Sequence, residues 1–77
     1  MEIIYSKHWV KKHLKKKKDI TNDIIEYALV NSRVMNDRNW ESAFNAVSRI
    51  PPSGRILKVV YKRINHKVFI ITAYWLD

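Results

Sequence analysis

His8 is the side chain of this sequence best suited to moving a proton, because histidine alone titrates near neutral pH without help from its surroundings. It sits in the stretch KHWVKKHLKKKK, residues 7–18, with seven lysines, two histidines and three apolar side chains. Lys11, Lys12, Lys15, Lys16 and Lys18 can each neutralise an anion such as a phosphate, an attraction that adds per contact and weakens with salt. Further along, Arg55 and Arg63 flank Tyr61. A guanidinium fork stabilises a doubly charged centre better than an ammonium point charge, which ranks Arg55 above the lysines for that task. Tyr61 and Tyr74 can stack on bases or donate hydroxyl protons, and Thr72 can orient a phosphate.

Each of these residues also has a plainer reading. His8 can brace the start of a helix by bonding a backbone carbonyl, and the lysines can form a solvated face. Arg55 can pair with Glu41 or Asp77, the tyrosines can serve cross-strand packing, and Thr72 suits a strand for its own sake. His13 falls beside Trp9 on an apolar stripe and reads as a packed side chain, while His66 falls in a turn. Trp9, Trp40, Trp75, Phe44 and Phe69 read as core and docking residues, since so small a domain needs its aromatics inside.

Several chemistries are disfavoured. The chain has no Cys, so disulfides and thiolate metal sites are excluded. His8 and His13 lie roughly 140° apart around a helix and cannot chelate one ion together. With Gly54 the single glycine there is no Gly-rich phosphate loop, and no carboxylate pair has catalytic spacing. No metal or cofactor is therefore expected.

The elements that must position these residues fit one domain, residues 1–77, because a chain of 77 residues cannot sustain two cores. At 47% hydrophobic the composition is that of a folded protein, and a net charge of +8 implies an anionic partner, with nucleic acid, an acidic protein and a membrane surface all open on charge alone. The start MEIIYSKHW lacks the apolar core of a secretory signal, and no apolar run is long enough for a membrane span, so the expected location is the cytoplasm.

Glu2 to Tyr5 is a short β-like run, and Ser6 offers an N-cap for a helix over about 7–18. Trp9, Val10, His13, Leu14 and Lys17 trace its docking stripe. Thr21 caps a second helix over about 22–31, with Ile20 placed to staple against Ile25 and with Ile24, Ile25, Ala28 and Leu29 facing the core. A short strand at 33–35, a turn at 36–39 and a strand over 40–49 follow. Pro51-Pro52-Ser53-Gly54 turns the chain into a hairpin of 55–64 and 67–76, joined at Asn65-His66.

Pairing 64 with 67 and alternating without interruption places Ile56, Val60, Ile64, Phe69, Ile71, Ala73 and Trp75 on one face, broken by Lys58, Lys62 and Lys67. That face is expected to be core. The opposite face carries Leu57, Val59, Val68 and Ile70 with Arg55, Tyr61, Arg63, Thr72 and Tyr74, and is expected to be an open working surface. The fold class is α+β: two N-terminal helices packed on one face of a three- to four-stranded antiparallel sheet, a two-layer sandwich.

The motif order S-x-H (Ser6, His8), GRILKVVY (54–61) and FIITAYW (69–75) resembles the RelE/ParE-like toxin superfamily. More narrowly it is similar to small uncharacterised prokaryotic domains adjoining BrnT-type ribonuclease toxins. The resemblance implies a RelE-like fold, metal-independent endoribonuclease activity by 2′-hydroxyl attack on the adjacent phosphate, and an acidic antitoxin partner. On matching positions it carries over His8, Arg55, Thr72 and Tyr74. Trp9 stands where a small residue is usual, Lys12 replaces an arginine, and the lysine-rich connection is about two residues longer.

The expectation is thus an RNA-cleaving, toxin-like domain with His8, Arg55, Tyr61, Thr72 and Tyr74 as catalytic set. Lys11, Lys12, Lys15, Lys16, Lys18 and Arg63 would contact RNA, and a homodimer is compatible with the sequence. The competing expectation is a non-catalytic basic module of the same fold that binds nucleic acid or an acidic protein.

Overall fold

The structure, a computed structural model, describes the backbone of residues 2–15, 19–36 and 43–76, and their side chains except those of Leu14 and of residues 33–36. The chain order is β1 (Glu2–Tyr5), α1 (Lys7–Lys15), α2 (Asn22–Asn31), β2 (Arg33–Asn36), β3 (Ala43–Ile50), β4 (Arg55–Ile64) and β5 (Lys67–Trp75). The five strands form one sheet in the order β1-β5-β4-β3-β2. The fold is α+β with both helices after the first strand. The expected turn at 36–39, the first residues of the expected strand at 40–49 and the proposed end of α1 fall mainly outside the described residues.

The sheet differs from the expected antiparallel one in its first strand. β1 runs parallel to β5, with Ile3 opposite Val68 and Tyr5 opposite Ile70, whereas the other three pairings are antiparallel. The sheet is therefore mixed and one strand wider than the widest expectation. A short apolar run carries no mark of its pairing direction, so β1 could not be oriented from its residues.

Local chemistry accounts for the helix starts. Ser6 continues the β1 ladder by donating its N–H to the Ile70 carbonyl at 3.1 Å, and its hydroxyl accepts from the Trp9 N–H at 3.1 Å. Thr21 accepts from the Ile24 N–H at 3.3 Å, and Ile20 and Ile25 both enter the core. In the β3–β4 turn Gly54 adopts φ +77°, a left-handed conformation that costs glycine little. Asn65 takes φ +56° in the β4–β5 turn, as a tight hairpin requires.

The two helices cover one face of the sheet. Trp9, Ile20, Ile25 and Ala28 pack with Ala46, Leu57, Val59, Tyr61, Val68, Ile70 and Ala73 in a single cluster. This overturns the expected assignment of hairpin faces. Ile64 does pair with Lys67, but Tyr61 pairs with Ile70 while its neighbour Val60 pairs with Thr72. Ile71 is thus an extra residue on β5, a β-bulge, and the side-chain alternation inverts past it. Its carbonyl accepts the Ser6 hydroxyl at 3.4 Å, so the start of α1 is tied to the irregularity. With the bulge included, Leu57, Val59, Tyr61, Val68, Ile70, Ala73 and Trp75 share the helix-side face. Lys58, Lys62 and Lys67 then fall together on the outer face.

Candidate nucleic-acid interface

His8, Lys11, Lys12 and Lys15 recur at i, i+3, i+4 and i+7 along α1, so they share one side of the helix, and all four are exposed. The opposite side is anchored by Trp9, 1% exposed, whose ring stacks on His13 with centroids 5.5 Å apart and planes 11° from parallel. Val10, expected on the docking stripe, is exposed instead. The basic residues of the last turn suit the negative end of the helix dipole. Among the described residues no carboxylate lies within ion-pair distance of Lys11, Lys12 or Lys15. Their charge is therefore directed at solvent or a ligand. Lys16 and Lys18, from the same expected set, lie outside the described residues.

Arg55 engages Asp19 and Trp75. Its guanidinium reaches Asp19 Oδ2 at 3.4 Å and sits 4.2 Å from the Trp75 ring centroid, while the Trp75 indole N–H donates to the same Asp19 oxygen at 2.8 Å. Asp19, just before α2, is thus one ion-pair partner of Arg55; the expected partners Glu41 and Asp77 lie outside the described residues. This cluster joins the interhelix connection to the ends of β4 and β5.

The remaining expected site residues divide between the two faces of the sheet. Tyr61 is 5% exposed on the helix side, where its ring stacks on Phe44 at 5.8 Å. Burial raises its hydroxyl pKa above the ordinary 10.0, with nearby Arg63 acting in the opposite sense. Thr72 and Tyr74 pair with Val60 and Lys58 on the outer face, beyond the bulge. Lys58 Nζ stands 5.7 Å from the Tyr74 ring centroid, within cation–π range. Arg63 is exposed near the end of β4. The expected surface joining Tyr61 to Thr72 and Tyr74 is thus split by one inserted residue.

A feature the sequence reading missed lies between the helices. Tyr5, Trp9, Val10, His13, Thr21, Asn22 and Asp23 line an open cleft of about 380 Å³. The Tyr5 hydroxyl is buried and has no hydrogen-bond partner among the described residues. Burial, then the carboxylates of Glu26 and Asp23, raise its pKa above 10.0. Nothing in the run EIIY marks this tyrosine out; its place in the cleft depends on how α1 and the start of α2 sit beside it.

Among the described residues no group of three His, Cys, Asp or Glu is placed to hold a metal ion. No helix among them is long and apolar enough to cross a membrane. Comparison with protein-family models, curated proteins and solved structures finds no match.

Proposed function

We propose that this domain binds nucleic acid, RNA in the first instance, through the exposed stripe of α1. The carrying observation is the alignment of His8, Lys11, Lys12 and Lys15 on one helix face, with no carboxylate among the described residues in ion-pair reach of the lysines. Such a row meets successive phosphates and releases their counterions. Phosphate contacts position a ligand without reading its sequence, so the affinity is largely independent of base identity. Titration of a labelled single-stranded RNA at several salt concentrations tests the reading. The affinity should fall steeply with salt for the wild type and less steeply for a Lys11→Glu, Lys12→Glu, Lys15→Glu variant.

A second reading adds cleavage, as the resemblance to RelE/ParE-like toxins implies, and one observation favours it. His8 lies one turn from Lys11 and Lys12 on the same stripe, which places an imidazole beside any phosphate they hold. His8 would accept the 2′-hydroxyl proton while the oxygen attacks phosphorus, and the 5′-oxygen would leave as the P–O5′ bond breaks and take a proton from water, with the lysines neutralising the charge that develops. Arg55 and Tyr61 contribute less to this scheme than expected, because one is engaged by Asp19 and Trp75 and the other is packed under the helices. Cleavage of cellular RNA in the presence of a chelator, lost in His8→Ala, supports it. RNA that binds but stays intact leaves the binding function alone.

A further inference from the structure

We propose that the cleft between α1 and the start of α2 is a binding site for a small aromatic ammonium compound, a protonated primary amine on an arylalkyl body. The site is independent of RNA binding, because Val10 and His13, which line it, lie roughly 150° around α1 from the centre of the lysine stripe.

Charge separates the cleft from the rest of the surface. The chain carries 15 lysines and arginines against seven acidic residues, yet the cleft is lined by no Lys or Arg among the described residues. It is lined by Asp23, and Glu26 follows three residues later on the same side of α2. Neither carboxylate has a cation within ion-pair distance among the described residues, whereas Asp19 is engaged by Arg55. In a protein of net charge +8 this corner is acidic.

The Tyr5 hydroxyl is buried in the same corner without a hydrogen-bond partner among the described residues, a state that buried polar groups seldom keep. After burial itself, the charges of Glu26 and Asp23 are what raise its pKa, so both carboxylates act on it. An ammonium beside Tyr5 donates to the phenolic oxygen and answers the two carboxylates. An anion meets the carboxylates with repulsion, and a neutral ligand leaves them unanswered. No group of three His, Cys, Asp or Glu among the described residues is placed to take a metal ion instead.

The walls select the body that carries the amine. Trp9 and His13 stack with planes 11° from parallel, Tyr5 adds a third ring, and Val10 leaves an apolar rim 43% exposed. Such walls suit a second ring, and aromatic surfaces also attract the cation. At about 380 Å³ the cleft has the size of a small-molecule site. A four-carbon stem such as that of lysine leaves most of this space to water, so an aryl body fits better.

The test titrates the full chain, isotopically labelled, with 2-phenylethylamine at about pH 8, where imidazoles are ordinarily neutral and primary amines charged. Saturable shifts should centre on Tyr5, Val10, His13 and Asp23, with a Kd of about 1 mM, the scale of a fragment-sized ligand in an open site. On the wild type, 2-phenylethanol, 3-phenylpropionate and butylamine should each bind at least ~tenfold more weakly. Asp23→Asn should weaken the amine ~tenfold, and Tyr5→Phe roughly fivefold. The inference is overturned if the shifts fail to saturate or fall outside the cleft, if the alcohol or the carboxylate matches the amine, or if Asp23→Asn binds it unchanged. Butylamine binding as tightly would assign the site to lysine-like amines and overturn the aryl body. Because the four probes are compared on the wild type, the test does not depend on the variants folding.

Discussion

The indole N–H of Trp75 and the Oδ2 of Asp19 meet at 2.8 Å across 56 positions of sequence, closing the last strand onto the connection between the helices. The same carboxylate oxygen takes Arg55 at 3.4 Å. Asp19→Ala removes both contacts and should cost about 1 kcal/mol, the scale of a partly exposed charge-assisted hydrogen bond. Asp19→Asn keeps an oxygen for the indole and should cost less than half as much, because the ion pair is well solvated. Urea denaturation of the two variants measures the difference; equal losses would assign the contribution to the ion pair instead.

The inverted hairpin faces make Tyr61 and Tyr74 opposites. Tyr61→Ala empties a packed site under the helices and should cost about 3–5 kcal/mol, as for other large aromatic truncations in cores. Tyr74→Ala, on the outer face, should cost about 1 kcal/mol. Paired unfolding curves decide the matter, and a reversed order would restore the uninterrupted alternation and remove the bulge at Ile71.

That bulge also shows what could and could not be read from the residues. The start of α2 at Asn22, its Thr21 cap, the Ser6 cap of α1 and the positive φ of Asn65 follow from local chemistry and were legible. The faces of β4 and β5 were not, because an extra residue in a ladder leaves the composition of the strand unchanged while reversing everything beyond it. A signal was nonetheless present: Lys58, Lys62 and Lys67 interrupted the supposed core, and three lysines on one side of a hairpin argue for solvent on that side. Likewise, the common stripe of His8 and the lysines follows from helical spacing alone. That Asp19 would pair with Arg55 depended on its placement beside the start of β4 and the end of β5, which no local pattern encodes.

Tyr5 and Tyr61 both have raised hydroxyl pKa values, for which burial is the leading cause. A raised value means that the unfolded state loses its proton first as pH rises past 10.0, so the unfolded chain then binds fewer protons than the native one. Stability supplied by these neutral hydroxyls is therefore complete below that pH and declines as pH climbs through the folded values. Tyr5→Phe and Tyr61→Phe should each flatten the alkaline limb of a stability-versus-pH curve. An unchanged slope in both would show that lysine deprotonation alone governs that limb.

Ser6 joins the end of β1, the bulge carbonyl and the first turn of α1 through one hydroxyl. Ser6→Ala should cost about 1 kcal/mol, the usual loss for an N-cap, and the loss should be accompanied by faster amide exchange in the first turn of α1. Exchange that accelerates uniformly would mean that the hydroxyl stabilises the whole domain and not that junction in particular.

The most direct test of the central claim is the salt dependence of single-stranded RNA binding. If Lys11, Lys12 and Lys15 each neutralise one phosphate, replacing all three with alanine should lower the slope of log affinity against log salt by about 2, at roughly 0.7 per contact. The Lys58→Glu, Lys62→Glu variant should keep the wild-type slope. An unchanged slope in the α1 variant, or a loss confined to the β4 variant, would contradict the assignment of RNA to the helix stripe.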